Sequence, residues 1–129
     1  MKQFTLPKSE RLYLRNAISE LFAKGSSFTV FPYRITYRVL PEDDPQEARV
    51  AIMTVAPKKR FKHAVDRNHM KRIMREAYRL AKPELIAKCE EAHCKLAFAM
   101  IYVDNKFISF HETQEKMQKI FHNLEKKLE

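Results

Sequence analysis

Glycine is almost missing from this 129-residue chain, where Gly25 stands alone. Loops that hold phosphate on backbone N–H groups need several glycines at fixed spacing, so Walker-type and dinucleotide-binding sites are excluded. Tryptophan is absent, and Cys89 and Cys94 are too few for a disulfide framework, which makes a reduced, cytoplasmic setting the expectation. The longest apolar run, Leu96 to Val103, is far below the roughly 20 residues that cross a bilayer, so no membrane partner is expected. The opening MKQFTLPKSERLY has no apolar core or small-residue cleavage site, and export is not expected either. No linker, low-complexity tract or long repeat breaks the chain, and residues 1–129 read as one domain.

Acidic residues are scarce in one place above all. Between Lys58 and Lys82, ten basic residues face only Asp66 and Glu76, a local balance of +8 within a chain of net charge +9. So concentrated a charge calls for a polyanion as partner, most simply a nucleic acid.

The remaining pattern is that of a mixed α+β protein. Ser9 can cap a helix over residues 10–24 with apolar positions Leu12, Leu14, Ile18, Leu21 and Phe22, and Gly25 can end it in a left-handed conformation. FTVFPYRITYRVL is strand-like, with Tyr33, Ile35, Tyr37 and Val39 alternating with polar residues and Pro32 marking a bend or edge. Pro41 to Ala48 reads as a hairpin loop with solvated acids, while Val50 to Ala56 and Leu96 to Val103 read as central strands buried on both faces. A basic helix is expected over 65–82. A last helix starts near Ser109, where Glu112 has capping-box spacing, and carries Phe110, Met117, Ile120, Phe121, Leu124 and Leu128 on one stripe. With helices interrupting only part of the strand series, the fold class is α+β, one sheet with packed helices.

At 100° per residue, Arg67, Asn68, Lys71, Arg72, Arg75, Arg79 and Lys82 fall within an arc of roughly 140°. Leu80, Ile73, Ala77, Met70, Ala81 and Met74 lie opposite, with Tyr78 at the boundary. A merely solvated helix intersperses acids to form pairs four residues apart, and this one hardly does. Its arginines suit bidentate phosphate contacts, and Lys58, Lys59, Arg60 and Lys62 extend the patch.

The run PKKRFKHAVDRNHMKRIMREAY resembles the RNR motif of the bacterial ribonuclease P protein component: a KK pair, then AVxRNxxKRxxRE. Lys58, Lys59, Ala64, Val65, Arg67, Asn68, Lys71, Arg72, Arg75 and Glu76 match it, and LRNAISELFAKG and the strand ending at Tyr37 are similar too. The resemblance implies a fold like ribosomal protein S5 domain 2, with a left-handed βαβ crossover. It also implies assembly with a catalytic RNA subunit that removes the 5′ leader of precursor tRNA, with Mg2+ held largely by RNA and no catalytic residue or metal ligand on the protein. Lys58, Lys59, Lys62, Arg67, Asn68, Lys71, Arg72, Arg75 and Arg79 are then the RNA-binding residues. The family's leader-binding cleft, between first helix and sheet, maps to Ile18, Phe22 and Tyr37, with Ile18 standing where an aromatic is common.

Other constellations carry less. Cys89, His93 and Cys94 lack a fourth ligand at zinc spacing, Glu42, Asp43 and Asp44 sit adjacent in a loop, and Glu115 replaces the second histidine that a zinc-protease helix would need after His111. His63 and His69 read as solvated. The expectation is an RNA-binding subunit of an endoribonuclease, with no protein partner. The alternative is a ribosomal or other structural RNA-binding protein of the same fold; a DNA-binding regulator and a self-sufficient nuclease stand further off.

Overall fold

The structure, a computed structural model, describes residues 15–46 and 48–128. Seven elements follow one another: α1 (Arg15–Lys24), β1 (Ser26–Val30), β2 (Tyr33–Pro41), β3 (Val50–Val55), α2 (Ala64–Glu91), β4 (Cys94–Tyr102) and α3 (Phe110–Lys127). The strands form one sheet in the order β1-β2-β4-β3, antiparallel except for the β3–β4 pair. This is the expected α+β architecture. The start of the first helix, with Ser9, lies outside the described residues.

The aromatic and β-branched run is two strands, with the expected bend at Pro32 between them. Pro32 and Phe31 form the two-residue turn, through a cis peptide bond, between Val30 and its partner Tyr33. Alternation then sorts the sheet into two faces. Tyr33, Ile35, Val50, Ile52, Leu96, Phe98, Met100 and Tyr102 point to one face and join Met70, Met74, Ala77, Tyr78 and Leu85 of α2 and Met117, Ile120, Phe121 and Leu124 of α3 in the main core. Thr36, Leu40, Ala51, Ala97 and Ala99 are buried on the other face, where α1 packs through Leu21 and through an ion pair of Glu20 with Arg38 at 3.0 Å. Across the main core the Tyr33 hydroxyl bonds Thr113 of α3 at 2.8 Å, so that two buried polar groups satisfy each other.

Four local expectations are corrected. Residues 41–48 are not a hairpin loop, because β4 lies between β2 and β3; the segment crosses the end of β4 and is tied to it. Gln46 Nε2 donates to Leu96 O at 3.1 Å, and Lys95 Nζ donates to Asp44 O and Gln46 O. Nor are the acids simply solvated: Glu42 pairs with Arg49 at 3.3 Å. β3 is an edge strand, buried in its first half and half-exposed from Met53 to Val55, whereas β4 is the central strand its sequence promised. The basic helix runs nine residues beyond Lys82, through Pro83, because the burial of Leu85 and Cys89 outweighs the roughly 3 kcal/mol that an interior proline costs.

Gly25 is not left-handed; no glycine here has positive φ. It is required by close approach. A Cβ at this position would lie 2.3 Å from Leu21 O and 2.8 Å from Tyr37 O, where the chain leaves α1 and enters β1 against β2. The Ser109 cap is as expected, its hydroxyl accepting from Glu112 N at 3.1 Å. Gly25→Ala should lower stability by about 1–3 kcal/mol, the range for forced overpacking, in urea unfolding followed by circular dichroism. An unchanged midpoint would show that α1 can shift freely off β2.

Candidate nucleic-acid interface

The burial of α2 decides which of its cations are presented. Met70, Met74, Tyr78, Leu85 and Cys89 form its buried side, and Lys82 falls in that row between Tyr78 and Leu85, only 4% exposed. Lys82 therefore leaves the outward cationic face. Tyr78, expected at the boundary, is buried, and Leu80, expected to be packed, is 42% exposed. The packed stripe drifts round the helix along its length, which a single 100° wheel drawn over 65–82 does not capture.

What remains is two neighbouring rows. Arg67, Lys71, Arg75 and Arg79 recur every four residues, about 6 Å apart along the axis, and are half-buried; Asn68 and Arg72 beside them are exposed. Ala77, Leu80, Ala81 and Glu84 line a cavity shared with Met117 and Phe121 of α3, and the arginine row lies half a turn round from it. Since α3 covers the β1 side of the sheet and α2 the β3 side, the arginines look past the β3 edge. Arg79 is held by Glu76 at 2.6 Å, and its buried Nε has no acceptor among the described residues.

Arg67 has a second task. Its Nη1 donates to Phe61 O at 3.0 Å and to Lys62 O at 2.9 Å, pinning the loop that precedes α2. That loop, turned by Arg60 N and Phe61 N on Pro57 O, carries Lys58, Lys59 and Lys62 into solvent. Arg67 thus organises the lysines that precede the helix rather than simply joining them.

The expected cleft is assembled only in part. On α1, Ile18 is half-buried and Phe22 is 46% exposed, one turn apart on the side that carries buried Leu21. Tyr37 is not with them. Glu20 reaches Arg38, and Gly25 meets Thr36, so α1 lies over the face to which the even-numbered residues of β2 point. Tyr37 points to the opposite face, half-buried against the main core with its ring centroid 5.8 Å from that of Phe28. A step of one residue along a strand reverses the face. Thr36 is the β2 residue beneath α1, and the same sheet face continues through Ala99 and Ile101 to Met53 and Val55 at the β3 edge. These floor residues were readable only as alternate positions of apolar strands. The half-exposed floor at β3 brings the cleft to the edge past which the arginine row looks.

Elsewhere, His93 and Cys94 turn the chain out of α2, with burial pushing the Cys89 thiol up to about 12 beside Cys94. That favours a protonated thiol over a metal ligand. His111 pairs with Glu115 at 3.1 Å. His69 is exposed as expected, but its ring meets Phe107 edge-on at 6.0 Å.

An α+β domain with a segregated arginine row, a lysine loop and a floored cleft round one sheet edge is a binding protein for a structured polyanion. The sequence model of the family described as Ribonuclease P matches residues 6–125. The chain is 40% identical over 116 residues to the ribonuclease P protein component of Porphyromonas gingivalis, covering 90% of this chain and 83% of that one. With that of Chlorobium phaeobacteroides it shares 30% over 128 residues, 93% and 88% of the two chains. Its fold is similar to the RNase P protein of Staphylococcus aureus, with TM-score 0.68 at 16% identity over 91% and 96% of the chains. For that of Thermotoga maritima the TM-score is 0.66 at 20% identity, over 88% and 96%. The chain belongs to the ribonuclease P protein family, and as a member it is an RNA-binding subunit of ribonuclease P.

Arg67 and Arg72 should separate in the isolated protein. Arg67→Ala is expected to cost about 1–3 kcal/mol and to speed trypsin cleavage at Lys58, Lys59 and Lys62, because two carbonyls lose a charged donor. Arg72→Ala should stay within about 0.5 kcal/mol of the parent, as exposed substitutions do. Equal protease sensitivity in the two variants would remove the loop-pinning role from Arg67.

Proposed function

We propose that this subunit supplies affinity and substrate position, while the RNA subunit of ribonuclease P carries the hydrolysis that removes the 5′ leader of precursor tRNA. The observation that carries the reading is the segregation of Arg67, Lys71, Arg72, Arg75 and Arg79 on one side of α2, with Asn68 among them, next to the loop of Lys58, Lys59 and Lys62. Guanidinium groups at fixed helical spacing complement a structured phosphate backbone, and they offer no nucleophile or general base. Mg2+ in the assembled enzyme belongs on this reading to the RNA. Family membership favours this reading over a structural ribosomal protein of the same fold. On this reading the chain works in the cytoplasm beside its substrate.

The leader, on this proposal, lies in the cleft of Ile18 and Phe22 and runs over the half-buried floor of Ile101, Met53 and Val55, with Tyr37 supporting β2 from behind. Bases of a single strand stack on exposed rings for about 1–3 kcal/mol each, and among the described residues Phe22 offers such a ring there. A strand leaving that floor at the β3 edge meets the arginine row without crossing the core.

Cleavage of precursor tRNA should be absent with protein alone, present with RNA alone only at high Mg2+, and restored at low Mg2+ by adding the protein. Activity from the protein alone would overturn the division of labour. Arg72→Ala should weaken low-Mg2+ cleavage without unfolding the protein. The log of RNA affinity should fall against log salt with a slope of roughly −3 to −5, for four to six neutralised phosphates.

Phe22→Ala should reduce discrimination between precursor and mature tRNA by roughly 5- to 150-fold, while Tyr37→Phe leaves it unchanged. The reverse order in competition binding would restore Tyr37 to the cleft and remove Phe22.

A further inference from the structure

At one end of the sheet the chain gathers three connections: the Phe31–Pro32 turn, the loop 56–63 before α2, and the loop 103–109 after β4. A ladder of rings rises there from core to surface. Tyr33 meets Tyr102 edge-on at 5.4 Å, Tyr102 stacks with Phe61 at 5.5 Å and 28°, and Phe61 stacks with Phe107 at 5.1 Å and 29°. Phe61 is buried, but Phe107 is 58% exposed and, among the described residues, is the outermost ring of the stack, its face left open. His69, on the first turns of α2, meets Phe107 edge-on.

The rung is held in place. Tyr102 OH donates to Lys106 O, Ile108 next to Phe107 is buried, and Ser109 caps α3 immediately after. Val103 N donates to Pro32 O at 2.9 Å, and Arg60 Nη1 reaches Asn105 Oδ1 at 3.4 Å, tying the three connections together. Burial, with Asp104 adding to it, pushes the Tyr102 hydroxyl up to about 12, so it keeps the proton that it donates. Phe61, beneath the exposed ring, stands between Arg60 and Lys62 in the loop of Lys58 and Lys59, and Lys106 precedes the ring. A rigid exposed ring amid cations matches an unpaired base with its phosphates. Protein packing gives no reason to end an aromatic ladder in solvent.

We propose that Phe107 is a base-stacking platform, on the main-core side of the protein and separate from the α1 cleft, that receives one unpaired nucleobase of an RNA while Lys58, Lys59, Lys62 and Lys106 hold the adjoining phosphates. The inference rests on the subunit role stated above. The nucleobase belongs either to the RNA subunit or to precursor tRNA, and the chemistry is the same.

The test assembles the full chain with ribonuclease P RNA and measures two affinities, protein for RNA subunit and assembled enzyme for precursor tRNA, in Phe107→Ala, Phe107→Leu and Phe107→Tyr. Stacking requires that Ala and Leu weaken one of the two by roughly 5- to 150-fold while Tyr stays within about twofold of the parent. The affinity that falls identifies the source of the base. Unchanged binding by Phe107→Ala overturns the platform, and so does full recovery by Leu, which would mean apolar packing. Should Phe107→Ala melt at a lower temperature, Phe107→Trp decides, since the chain has no other tryptophan. Its emission must be quenched by RNA, and unquenched emission overturns the proposal. A parent protein that binds neither RNA overturns the subunit reading itself, whereas a binding parent with an indifferent Phe107 overturns the platform alone.

Discussion

The placement of β4 between β2 and β3 is the constraint on which the rest depends. It pairs antiparallel with β2 and parallel with β3, so the chain must return from the end of β3 to the start of β4 over the full length of the sheet. Only a crossover of a dozen residues or more can do this, and here it is the 28-residue α2. At 1.5 Å per residue that helix is about 42 Å long, against about 30 Å for the nine residues of β4. The excess shows at its N-terminus, where no residue before Met70 is buried. Arg67 and Asn68 are therefore carried beyond the first buried turn on a rigid rod, while Lys71 to Arg79 run alongside the core.

Much of this was legible. Composition and spacing were enough for the element order, the burial of β4, the capped α3 and the charge on α2, because each follows from contacts within a few residues. What was hidden was non-local. A loop between two strands reads as a hairpin unless one knows that a third strand will enter between them. Likewise Val50 to Ala56 has the apolar content of a central strand and lies at the edge, where α2 covers it on one side and the α1 face partly on the other. The basic helix was expected to stop at Lys82, because the burial of Leu85 and Cys89 that carries it on through Pro83 was not visible.

The site was legible in its charges and not in its faces. Arg67 to Arg79 were identifiable, yet Lys82, four residues from Tyr78, follows it into the core, and Tyr37 takes the opposite face from α1. Both corrections have the same physical origin. A helix row or a strand alternation fixes which residues share a side, but only packing fixes which side is covered. Gly25 shows the complementary point: its place at a helix end suggested backbone freedom, and the reason for it is the approach of Leu21 O and Tyr37 O.

The loop before α2 joins these levels. Four of its residues are cations, and a mobile loop of cations would attract RNA without orienting it; the entropy of ordering it would then be lost on binding. Arg67 avoids part of that loss by bonding the carbonyls of Phe61 and Lys62 from within the helix, and Phe61 does the same from below by inserting between Tyr102 and Phe107. Charge repulsion along α2 works against the fold, but these anchors are a charge-assisted bond and an apolar stack, and the stack is insensitive to salt. The electrostatic surface is thus mounted on non-electrostatic supports, so the ionic strength that weakens RNA binding leaves the apolar part of its geometry intact.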